Sequence, residues 1–117
     1  MDIESIRIYC ISKNAVKECM PFDDKTLVFK VAGKIFALAT LEAYPLRLNL
    51  KCDPEKAIEL RECFESVRPG YHSNKKHWNT IEVNGEIPQE ALYKLIDHSY
   101  NLVIAKLTKK LRKKYLL

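Results

Sequence analysis

Leu46-Arg47-Leu48-Asn49-Leu50-Lys51-Cys52-Asp53-Pro54 is the stretch whose reading decides the fold class. Leu46, Leu48, Leu50 and Cys52 alternate with Arg47, Asn49 and Lys51, the period of a strand with one apolar and one polar face. A slip of one residue would bury three polar side chains, so the register of this strand is strongly set. Asp53 then supplies a helix N-cap, and Pro54 suits the first helical position, where no amide hydrogen is needed. A strand with one wet face running directly into a helix points to mixed α and β structure.

Working outward toward the N-terminus, Ile35–Leu41 is apolar on both faces and reads as a central strand. Ala32-Gly33-Lys34 is a turn, and Thr26–Val31 alternates as a further strand. Residues 15–24 read as a connection that lays Met20 and Phe22 on the sheet edge. Asp2 caps a first helix whose apolar stripe is Ile3, Ile6 and Cys10, ending near residues 12–14. Toward the C-terminus, the helix opened by Pro54 buries Ala57, Leu60 and Phe64 and ends near Glu65 or Ser66, before Pro69. A strand over 77–83 follows, preceded by a less regular one near 68–72. Pro88 opens a long helix on which Leu92, Leu95, Ile96, Ser99, Leu102, Val103 and Lys106 trace one face. Thr108 restarts a short helix with Leu111 and Tyr115 packing back. These runs predict a five-stranded antiparallel sheet with helices on one side.

At 117 residues the chain forms one domain. Hydrophobic residues at 47% and charged residues at 30% are ordinary for a globular chain and argue against disorder. No apolar run approaches the roughly 20 residues of a membrane span. The acidic start Met1-Asp2-Ile3-Glu4 lacks the plan of a signal peptide, so the expected compartment is the cytoplasm. The net charge is +5, yet residues 106–117 hold six basic side chains and no acid. The body is therefore nearly neutral, and the positive excess is a C-terminal feature suited to nucleic acid, an anionic surface or solubility. The expected division is a domain over 1–107 and a basic C-terminal helix or tail over 108–117.

Chemistry concentrates in Pro69-Gly70-Tyr71-His72-Ser73-Asn74-Lys75-Lys76-His77-Trp78-Asn79-Thr80, which holds the only tryptophan and no acid. Pro-Gly marks a turn here. Donors, cations and aromatic surface of this kind suit polyanion binding better than bond-breaking. Lys75, Lys76, Arg47 and Lys51 are candidates for phosphate contacts, Asn74 and Asn79 for hydrogen bonds, and Trp78 or Tyr71 for stacking, with His72 and His77 alongside. If the strand runs without a bulge at Asn79, Trp78 faces outward with Arg47, Asn49 and Lys51. Otherwise Trp78 fills the core and its polar neighbours cap a loop. Cys10, Cys19, Cys52 and Cys63 are scattered without metal-binding spacing, and His72 and His77 have no carboxylate or cysteine close in sequence. Free thiols and no bound metal are expected. No glycine-rich phosphate loop, metalloprotease helix or nucleophile elbow is present. The expectation is a non-enzyme with no catalytic residues and no cofactor.

The run PGYHSNKKHWNT (69–80), with NLKCDPE (49–55), LIDHSYNLV (95–103), Pro21-Phe22 and Thr26–Val31, resembles the MmcQ/YjbR family over nearly the whole chain. The resemblance implies a small bacterial two-layer α+β domain ordered α-β-β-β-α-β-β-α. It also implies a DNA-binding role, a label that rests on fold likeness more than on chemistry. The strand order is similar to that of secretion-chaperone-like folds, which makes a dimeric protein-interaction module the alternative. Nucleic acid, DNA above all, is thus the expected partner, with a protein partner or second copy next.

Overall fold

A computed structural model describes residues 2–70 and 74–117. In chain order the elements are α1 (Ile3–Ile11), β1 (Val16–Cys19), β2 (Thr26–Val31), β3 (Lys34–Thr40) and β4 (Leu46–Lys51). They continue with α2 (Pro54–Cys63), β5 (Val67–Pro69), β6 (Trp78–Val83), α3 (Gln89–Ala105) and α4 (Lys109–Lys114). Among the described residues, six strands form one sheet in the order β1-β2-β3-β4-β6-β5, every neighbouring pair antiparallel.

Local chemistry explains where the elements start. Asp2 Oδ1 accepts the Ser5 amide at 2.9 Å, and Asp53 Oδ2 accepts the Lys56 amide at 3.2 Å, each satisfying a donor that a helix start leaves free. Thr108 does the same for Leu111 at 3.2 Å. Ala32 and Gly33 both take positive φ, 49° and 83°, and close the two-residue turn between Val31 and Lys34.

The expected five-strand count is corrected to six. The additional strand is β1, in the stretch read as a connection. Its alternation is hidden because Glu18 occupies a core-facing position opposite Phe29. Arg7 of α1 neutralises it there, with Nε and Nη2 2.7 and 2.6 Å from the two carboxylate oxygens. The element order therefore gains a strand after α1 and a helix after α3.

The helices α1, α2 and α3 lie on one face. Ile6 and Cys10 of α1 and Leu92, Leu95, Ile96 and Val103 of α3 share one buried cluster with Phe29, Ala37, Ala39, Leu48, Leu50 and Ile81 of the sheet. Ala57 of α2 is buried too, and its carbonyl meets Asn79 on that same face. The register between β2 and β3 shifts after Phe29, so Phe36 is an extra residue on β3 and enters the core beside Ala37. Ser99 of α3 bridges this irregularity: its hydroxyl donates to the Phe36 carbonyl at 2.5 Å and accepts the Lys51 amide at 2.9 Å. The long helix is thereby fixed across the ends of β3 and β4. Among the described residues no helix is long and apolar enough to cross a membrane.

Candidate nucleic-acid interface

The second face of the sheet is the one that α1, α2 and α3 leave uncovered, and the β4–β6 register dictates what it displays. Trp78 lies opposite Lys51, Thr80 opposite Asn49 and Glu82 opposite Arg47. Trp78 is thus a half-buried residue of the open face, next to a lysine, because β6 runs unbulged through Asn79. The same regularity turns Asn79 inward, opposite Leu50, where it is 1% exposed. Its Oδ1 accepts from Arg61 Nε at 2.7 Å and its Nδ2 donates to the Ala57 carbonyl at 3.4 Å. Asn79 is therefore a packing residue, not a surface hydrogen-bonding group. Thr80 Oγ1 bonds Asn49 Oδ1 at 2.6 Å across the open face.

The turn leading into β6 is braced from several sides. The Asn74 carbonyl accepts the His77 and Trp78 amides at 3.1 and 2.9 Å, and Asn74 Oδ1 accepts the Lys76 amide at 3.0 Å. Arg61 Nη2 donates to the Lys75 carbonyl, and the His77 carbonyl accepts the Cys52 amide at 2.7 Å. Lys75 and Lys76 are thus exposed cations on an ordered support. Pro69-Gly70 is not a turn: Pro69 pairs with Asn79 on the edge strand, and the Gly70 amide donates to the Trp78 carbonyl at 2.8 Å. A Cβ on Gly70 would lie 2.8 Å from that of Trp78, so glycine is required here for space. The candidates Tyr71 and His72 lie outside the described residues.

A concavity of about 380 Å³ opens at the end of the sheet where β4 finishes and β6 begins. Lys34, Ile35, Lys51, Val103, Lys106 and Leu107 line it. Burial, together with the nearby positive charge of Lys106, pushes the Lys51 ammonium toward deprotonation. Neither a carboxylate in the lining nor an ion pair among the described residues offsets these three amines. Some other cations are paired: Lys13 sits 2.5 Å from Asp97 and Arg68 3.3 Å from Glu82. Arg47 is separate, toward the other end of β4, in a second concavity with Arg68, Pro69, Thr80 and Glu82.

The expected basic set therefore divides. Lys51, Lys75 and Lys76 gather at one end of the sheet, and Arg47 does not join them. Lys34, Lys106 and Arg61 were missing from the sequence-derived set. Lys106 did carry a signal: it lies seven residues after Ser99, where the core-facing stripe of α3 calls for an apolar side chain. Lys34 and Arg61 carried none, because their roles depend on neighbours distant in sequence.

The YjbR family model matches residues 11–102. The uncharacterized protein YbdF of Escherichia coli O157:H7 is 42% identical over 100 residues, covering 85% of this chain and 81% of YbdF. The uncharacterized protein YjbR of Escherichia coli K12 is 33% identical over 113 residues, covering 97% and 96%. Among solved structures, a crystal structure of a Deinococcus radiodurans protein with the domain DUF419 superposes with a TM-score of 0.94 at 44% identity, covering 98% of this chain and 88% of that one. A crystal structure of a Pseudomonas syringae protein gives 0.75 at 26% identity, covering 87% and 98%.

Proposed function

The chain belongs to the YjbR family, and from that premise we propose that it is a nucleic-acid-binding protein, with DNA as its partner, rather than an enzyme. The observation that carries this reading is the group of uncompensated amines of Lys34, Lys51 and Lys106 beside a tryptophan on the sheet face that α1, α2 and α3 leave uncovered. Lysines held together without carboxylates attract polyanions, and an aromatic side chain on an open sheet offers a stacking surface. Lys75 and Lys76 extend the cationic rim along the turn into β6, and the lysines of α4 follow directly after Lys106.

Three of the groups that could do acid–base or nucleophilic work are engaged in packing. Cys10 is in the core, its thiol pushed up to about 12 by burial. The Tyr9 hydroxyl, also pushed up to about 12 by burial and the Asp97 carboxylate, donates to Asp97 at 2.6 Å. His98 Nε2 accepts the Asp53 amide at 3.1 Å. These contacts favour binding over catalysis.

The test is fluorescence anisotropy with labelled DNA at low salt. Lys75→Ala combined with Lys76→Ala is expected to weaken binding while leaving the thermal melt unchanged, because both side chains are exposed. Binding equal to the parent's would remove this turn from the interface. A second reading, a homodimer or protein-interaction module, is favoured by one feature. Phe22, 64% exposed, and Met20 follow the edge strand β1, whose outer side is unpaired within the described sheet. Sedimentation of a stable dimer that Phe22→Ser converts to monomer would favour it.

A further inference from the structure

We propose that the concavity bounded by Lys34, Lys51 and Lys106 seats a phosphate of a single nucleic-acid strand whose adjoining base stacks on Trp78. This deepens the nucleic-acid reading above and rests on it. Three lysines line a space of about 380 Å³, enough for a phosphate and part of its hydration shell, while Ile35, Val103 and Leu107 supply apolar walls. Like charges brought together raise the energy of the empty site; burial first and then the Lys106 charge hold the pKa of the Lys51 ammonium below its ordinary range, and an anion relieves that repulsion. The C-terminal end of α3 offsets only part of the excess, because a helix terminus is equivalent to about half a charge. More than two positive charges remain for a ligand.

The choice of a single strand follows from Trp78. Its rung partner is Lys51, so the indole and the concavity are reached from one side chain to the next. A base within a duplex has both faces covered by its neighbours and must be unstacked before it can lie on an indole. A single strand presents its bases freely while its backbone follows the lysines. The bracing of the Asn74–Trp78 turn by Arg61 holds the indole's backbone in place before any strand arrives.

Trp78 is the chain's only tryptophan, so its fluorescence reports on this site alone. The full chain is titrated with a short oligothymidylate, with the same oligonucleotide as a duplex with its complement, and with inorganic phosphate. The single strand is expected to quench Trp78 and to bind about tenfold more tightly than the duplex, in line with the gain from stacking a base on an aromatic side chain. Lys51→Gln and Lys106→Gln together are expected to weaken single-strand binding and to reduce the slope of log K against log salt by about 0.7 for each lost phosphate contact. Trp78→Phe, which preserves packing and a stacking face, should retain binding measured by anisotropy, and Trp78→Leu should lose it with the fold intact by circular dichroism. Equal binding of duplex and single strand without quenching would overturn the strand seat yet leave DNA binding standing. Binding of inorganic phosphate without either oligonucleotide would overturn both readings.

Discussion

Ser99 is a small polar side chain on the most buried stripe of α3, and its hydroxyl satisfies two backbone groups, the Phe36 carbonyl and the Lys51 amide, just beyond the last β3–β4 pair at Ala37 and Leu50. Ser99→Ala keeps the volume close but strands an amide and a carbonyl, which costs about 1–3 kcal/mol per unsatisfied group. Urea denaturation is expected to show a loss of about 2–6 kcal/mol for the two groups with unchanged m-value. His98 gives a pH signature. Burial and the Lys56 ammonium hold its pKa below 6.5, against the opposite pull of Asp53. The unfolded chain therefore takes up this proton first as pH falls. The stabilisation is complete above about 6.5 and is lost on acidification down to the folded value. His98→Gln should flatten the fall in stability between about pH 7 and pH 5 relative to the parent, a window in which histidine titrates. If parent and variant fall in parallel, His98 does not carry the dependence. Alternation with Ile81 and Val83 left Trp78 outward only if β6 had no bulge at Asn79, with a core position as the alternative, and the regular β4–β6 register decides for the outward face. Asn79 shows the limit of that reading. Its position was on the inward side, but its suitability as a core residue depends on Arg61, eighteen residues away along the chain.

The strands β2, β4 and β6 could be read from their sequences nearly to the residue, although only β4 alternates in burial: Val28 and Phe29 of β2, and Asn79, Thr80 and Ile81 of β6, are buried on both faces. The strand β1 could not, since its core-facing Glu18 is tolerated only through the bidentate contact with Arg7 on the preceding helix. Short edge strands of this kind are defined by their partners more than by their own composition. The helix α4 combines a local and a non-local role. Thr108 caps it, while Asn14 Nδ2 donates to the Tyr115 and Leu116 carbonyls at 3.1 and 3.3 Å, and Leu117 packs against the core. Deleting residues 108–117 should therefore have two effects. Stability should fall modestly as the packing of Leu111 and Leu117 is lost. DNA affinity should fall similarly across sequences with a flatter salt dependence, because α4 removes five of the basic residues that act through counterion release. An unchanged salt slope with reduced stability would make α4 a packing element alone.

At the scale of the whole molecule, α1, α2 and α3 take one face of the sheet, and one end of that sheet collects several lysines that make no ion pair among the described residues. Net charge alone does not reveal this, since a nearly neutral body with a basic C-terminus gives the same sum whatever the arrangement. The fold places the start of β3, the end of β4, the entry to β6 and the end of α3 together, and so converts separate lysines into one surface. The most direct test of the central claim is a backbone amide NMR titration of the full chain with a short single-stranded DNA at low salt. Shifts are expected at Lys34, Lys51, residues 74–78 and Lys106, together with the Trp78 indole, and should diminish as salt is raised. Shifts confined to Val16–Cys19 and its neighbours Met20 and Phe22, or none at low salt, would contradict the assignment of nucleic-acid binding to this end of the sheet.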